Sequence, residues 1–147
     1  MSVEENKAIV RRFFEEGATT GNLDIWDETF ADSVVEGSET YDLAAYKEIS
    51  AGFLGAFPKR SYTIHDMVAE GDKVVVQITM RATHTGEFAG VLPTNKQLEH
   101  SGAAIFRFAG GKVAEYQWIG NMLSFWQQLG VIAPWEDLVK QANAKLG

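Results

Sequence analysis

Apolar residues recur along this chain with two different periods, and the change of period divides it. As far as residue 57 the spacing is close to 3.6. Val10, Phe13, Phe14 and Gly17 fall at i, i+3, i+4 and i+7, which predicts a helix over 3–20. Ser2 with Glu5 makes a capping box at its start, and Gly21 supplies a left-handed stop. A short second helix is predicted over 24–30, with Asp24 as N-cap and Ile25, Trp26 and Phe30 apolar. A third runs over 43–57. Asp42 caps it, Pro58 ends it at or before Phe57, and Leu43, Tyr46, Ile49, Phe53 and Phe57 are its apolar residues.

Beyond Pro58 the period becomes 2. A strand is predicted over 61–69, a turn at Glu70-Gly71-Asp72, and a long strand over 73–84. Val74, Val76, Ile78, Met80, Ala82 and His84 share one face of that strand, and Val75, Gln77, Thr79, Arg81 and Thr83 the other. A loop over 85–96 leads to strands at 97–108 and 112–119, joined at Gly110-Gly111. Helices over 121–129 and 134–145 close the chain, separated by Gly130 and Pro134. Helices first and an antiparallel meander afterwards predict an α+β fold, helices packed on one face of a sheet, in one domain over 1–147.

Composition narrows the function. The 147 residues are 46% hydrophobic, enough for a core without staples. The absence of cysteine excludes disulfides, thiolate zinc sites and a cysteine nucleophile. No apolar run reaches the length of a membrane span, and the polar, acidic stretch Met1 to Lys7 is not a signal peptide. A cytoplasmic protein without a membrane partner is expected. The net charge of −7 repels nucleic acid and anionic lipid alike.

Hydrolase, zinc-protease and nucleotide-binding signatures are absent. His65, His84 and His100 all fall in predicted strands, none with metal-ligand spacing, so no metal is expected. His84 ends an apolar strand face, either at a pocket mouth or bonded to backbone. Gly102, Ala103 and Ala104 leave space over the sheet, for a cavity or for Phe13 and Phe14 of the first helix. Phe14, Trp26, Tyr41, Tyr46, Phe53, Met80, Tyr116 and Trp118, with Phe125 and Trp126, are candidates to line such a cavity or to fill the core. Glu36 follows the short apolar run Val34-Val35, near an edge strand. Pointed inward, its pKa would rise and it could act as a base; pointed outward, it is solvated. Asn121 stands where the last strand yields to a helix, an ordinary N-cap position.

Several motifs in order carry a resemblance. Gly71-Asp72-Lys73-Val74-Val75-Val76, then Thr83-His84-Thr85-Gly86-Glu87-Phe88, Gly90, Pro93-Thr94 and Lys96 resemble the SnoaL-like polyketide cyclase family. So do Gly111-Lys112-Val113 with Glu115, Gln127-Gln128-Leu129-Gly130, the Asn6-to-Phe14 helix, Gly21-Asn22-Leu23 and Phe57-Pro58, across about 3–132. The resemblance implies a nuclear transport factor 2-like fold, a curved antiparallel sheet forming a cone-shaped half-barrel around an apolar pocket. It implies a homodimer paired through the outer sheet face. It also implies cofactor-free aldol cyclisation of a small hydrophobic, polyketide-like ester.

The family pattern has Glu-His-Trp after the glycine turn and an acid/base aspartate six residues after that glutamate. This chain has Glu115-Tyr116-Gln117-Trp118, with Asn121 at the aspartate position. A carboxamide can hold an oxyanion but does not titrate usefully. Three readings follow. In a cyclase, lyase or isomerase, His84 or Glu36 would take the proton, and Asn121 with Tyr116 or Tyr41 would hold the oxyanion. In a binding protein, the pocket would remain without chemistry. In an epoxide or ester hydrolase, Arg81 or Arg107 would need an inward aspartate partner.

Overall fold

The first helix, α1 (Val3–Arg12), starts as its sequence demands. The Ser2 hydroxyl accepts from the Glu5 backbone N–H at 3.1 Å and donates to the Glu5 carboxylate. The computed structural model describes residues 2–147; Met1, in the acidic N-terminal stretch, lies outside them. The helix continues through a π-helical turn, Phe13–Ala18, where the Thr19 N–H and hydroxyl both donate to the Phe14 carbonyl. In an ordinary helix adjacent residues diverge by about 100°. Here Phe13 and Phe14 are both buried, their rings 5.0 Å apart.

The remaining elements are α2 (Asp24–Thr29), β1 (Phe30–Glu36), β2 (Glu39–Asp42), α3 (Leu43–Ala56), β3 (Arg60–Glu70), β4 (Lys73–Thr83), β5 (Gln97–Ala109), β6 (Lys112–Gly120), α4 (Met122–Gln128) and α5 (Trp135–Leu146). Asp42 caps α3 by accepting from the Ala45 N–H at 2.7 Å. No helix among the described residues is long and apolar enough to cross a membrane.

The six strands form one curved, unclosed sheet in the order β2-β1-β6-β5-β4-β3. The predicted meander is its β3–β6 portion, antiparallel throughout. The sheet as a whole is mixed rather than antiparallel, because β1 runs parallel to β6, with Glu36 opposite Tyr116. The chain turns extended at Phe30, so the predicted helix over 24–30 is one residue shorter and a β1–β2 hairpin follows it. Two features hid that hairpin. Its apolar pattern is short and interrupted by a register shift between Phe30 and Val35, and its partner strand lies about eighty residues away in sequence.

Two apolar clusters pack on the concave side. Val10, Phe13, Phe14, Trp26, Phe30, Ile78 and Phe106 belong to the first. Phe57, Met80, Leu98, Phe125 and Leu129 belong to the second. Arg60 ties the helices to the sheet. Its guanidinium donates to the carbonyls of Ala18, Leu54 and Phe57, which end the π-helical turn and α3. Arg60→Met strands those carbonyls and is expected to lower stability by about 2–3 kcal/mol, measurable by urea denaturation.

Candidate functional site

Residues paired across a ladder point to the same side, so the β1–β6 register decides where Glu36 faces. Opposite Tyr116, it shares the concave face with Val34, which is fully buried. Tyr46 of α3 and Tyr41 of β2 lie beside it, their rings 6.1 Å apart. Tyr116 packs edge-on against Phe106 at 5.2 Å, and Tyr62 of β3 against Phe14 at 5.5 Å.

This arrangement shifts Glu36, Tyr46, Tyr116 and Tyr62 in definite directions. Burial raises the Glu36 carboxyl above its ordinary pKa, and no salt bridge or hydrogen bond within the described residues offsets that. Burial, then the Glu36 charge and the neighbouring Tyr116 and Tyr41, raise Tyr46. Burial, then Tyr62 and Glu36, raise Tyr116. Tyr62 is pushed up to about 12 by burial, against the opposing pull of Arg60. Tyr46, Tyr116 and Tyr62 therefore stay neutral donors on the face of a carboxyl that gains a proton readily. Such a set can move a proton and hold a developing oxyanion.

The next stretch of the same face is built by two glycines. Gly102 and Gly120 face each other across β5 and β6. A Cβ at Gly120 would stand 2.6 Å from Trp118 Nε1, and one at Gly102 would stand 2.7 Å from Trp118 Cζ2. The indole lies across this bare strip, and its Nε1–H donates to His100 Nε2 at 2.9 Å. The space over Gly102 thus holds Trp118. Phe13 and Phe14 pack instead with Phe106.

A model of the SnoaL-like polyketide cyclase family matches residues 8–129. The chain belongs to the SnoaL-like polyketide cyclase family. Among solved structures it is similar to AclR, a candidate hydroxylase from Streptomyces galilaeus, with 29% identity and a TM-score of 0.80 over 99% of this chain and 93% of that one. A candidate SnoaL-like polyketide cyclase from Jannaschia Sp. CCS1 shares 26% identity, with a TM-score of 0.79 over 89% and 94%. A candidate polyketide cyclase from Acidithiobacillus ferrooxidans shares 29% identity, with a TM-score of 0.77 over 88% and 98%. No curated protein matches the chain.

The SnoaL-like fold brings Glu36, Tyr41, Tyr46 and Tyr116 together, with Phe14, Trp26, Phe53 and Trp118 in the same apolar cluster, and holds His84, Asn121 and Met80 apart. His84 is fully buried. Its Nδ1 accepts from the Thr94 backbone N–H at 3.2 Å, and its ring packs 5.3 Å from Phe57 in the second cluster. Asn121 is exposed and caps α4, its side-chain oxygen accepting from the Ser124 N–H at 3.0 Å. Trp26 donates to Ser50 at 3.1 Å, Phe53 packs on Phe57 and Phe88, and Met80 lies in the second cluster. Arg81 and Arg107 pair with Glu99 and Glu115. No group of acidic and histidine side chains among the described residues has the form of a metal site. Sequence reading missed Tyr62 and the role of His100. The alternation of β3 and β5 placed both in strands, but only the cross-strand register shows what each one meets.

Proposed function

We propose that this SnoaL-like chain catalyses a cofactor-free, aldol-type cyclisation of a small polyketide-like ester, with Glu36 as its acid/base. The observation that carries this reading is Glu36 on the concave face beside Tyr41, Tyr46 and Tyr116, its carboxyl raised by burial. Glu36 takes a proton from a carbon next to a carbonyl. The enolate oxygen forms hydrogen bonds with Tyr116 and Tyr46. The enolate carbon attacks a second carbonyl and closes the ring, and protonated Glu36 returns its proton to the new alkoxide. Orientation in an apolar enclosure contributes alongside, up to about 7–11 kcal/mol in favourable cases. Tyr116→Phe removes one oxyanion donor and is expected to lower kcat roughly 100-fold. An unchanged kcat in that variant would take Tyr116 out of the mechanism.

A second reading rests on Asn121. The side chain at the family's aspartate position is a carboxamide engaged in capping α4, which favours ligand binding without turnover. Aspartate caps helices as well as asparagine does, so Asn121→Asp should fold normally. Under the cyclase reading the wild type turns over a polyketide ester without that change. Turnover in Asn121→Asp alone would favour the binding-protein reading.

A further inference from the structure

We propose that His100 is a positioning residue that latches the Trp118 indole flat against Gly102 and Gly120, so that the ring becomes a platform for a planar, conjugated ligand. Four observations meet at this point. The indole N–H is committed to His100 Nε2 at 2.9 Å, so Trp118 offers the concave face its ring and not its donor. The two facing glycines leave no Cβ to lift the ring. Trp118 is only partly buried, although it lies on the inward face opposite Ala104. His100 is itself gripped, its ring 5.0 Å from Phe125 of α4 and nearly perpendicular to it.

The bond also fixes the tautomer. An Nε2 that accepts from the indole carries no hydrogen, so the neutral ring holds its proton on Nδ1. That nitrogen is sealed and has no partner among the described residues, so His100 does not reach a ligand directly and acts through Trp118. Burial lowers the His100 pKa, which keeps the acceptor available near neutrality. The ligand class follows from the wall. A flat π-face stacks on a planar, conjugated ring, and the neutral hydroxyls of Tyr46 and Tyr116 can donate to oxygens on it.

The inference rests on the concave face being the ligand pocket, as in the preceding reading, but not on Glu36 acting as base. It is tested by NMR and by binding of 1,8-dihydroxyanthraquinone, a planar oxygenated probe. Long-range 15N–1H correlation of the wild type is expected to place the His100 proton on Nδ1; a proton on Nε2 overturns the latch without any variant. Four tryptophans give four indole N–H signals, and Trp118→Phe identifies the relevant one. In His100→Phe that signal should move upfield and probe affinity should fall roughly tenfold, mid-range for the coupling of residues in contact. His100→Gln, which keeps an acceptor, should restore much of both. An unmoved Trp118 signal or unchanged affinity in His100→Phe overturns the proposal. Equal weakening by His100→Phe with and without Trp118→Phe also overturns it, because His100 would then act without the indole. Turnover plays no part in these readouts, so failure of the latch and failure of the Glu36 mechanism are separately visible.

Discussion

Glu36→Gln is expected to lower kcat for polyketide ester cyclisation by roughly 100- to 10,000-fold, the range for loss of a positioned acid/base group. The amide keeps the shape and hydrogen-bonding reach of the side chain but cannot carry the proton. The wild-type rate should rise with pH as Glu36 loses its proton. Its midpoint should lie above the ordinary carboxylate range, because burial raises that pKa. The same shift has a consequence for stability, with a definite sign. The folded chain binds the Glu36 proton more tightly than the unfolded chain does. Above the raised pKa the folded state therefore holds a charge its surroundings disfavour, and that cost disappears as the pH falls toward 4.5 and below. Glu36→Gln should melt above the wild type at pH 7, and the difference should close at acid pH. A variant that is inactive but no more stable at pH 7 would show Glu36 to be better solvated than its burial implies.

Phe106→Ala is expected to cause the largest loss of stability of any single truncation considered, about 3–5 kcal/mol. Phe106 has no exposed surface and lies at the meeting point of three other aromatic rings. Phe13 and Phe14 approach it from the π-helical turn at 5.8 and 5.9 Å, and Tyr116 at 5.2 Å. Alanine leaves a cavity that two adjacent helical phenylalanines cannot both collapse into, since the wide turn fixes their directions. Tyr116 loses the ring that holds it near Glu36, so kcat should fall even where the fold survives. Urea denaturation beside kcat measured at low temperature separates the two effects. A loss below about 1 kcal/mol would mean that the concave face repacks freely.

Much of this fold can be read in the pattern of the chain. Alternation through β4 gives its buried face, Val74 to Ala82, directly, and the spacing of Val10, Phe13, Phe14 and Gly17 gives the inward face of the first helix. What the pattern cannot carry is pairing between distant segments. Phe30 and Val34 are too few apolar residues, interrupted by a bulge, to announce an edge hairpin. Nothing local says that this hairpin meets β6 in parallel. The candidate site divides the same way. Glu36 is visible as a carboxylate after an apolar pair, but its direction depends wholly on standing opposite Tyr116. His84 draws attention as a histidine on an apolar face, and what it engages is the Thr94 backbone and Phe57. His100, on the neighbouring strand, meets Trp118 only because Gly102 and Gly120 face each other, a fact of register and not of spacing.

The most direct test of the account is ring closure of a polyketide ester, followed for the wild type, Glu36→Gln and Asn121→Asp under one set of conditions. Cyclisation by the wild type and its loss in Glu36→Gln are expected, with Asn121→Asp not required. Equal rates in the wild type and Glu36→Gln, or cyclisation confined to Asn121→Asp, would contradict it.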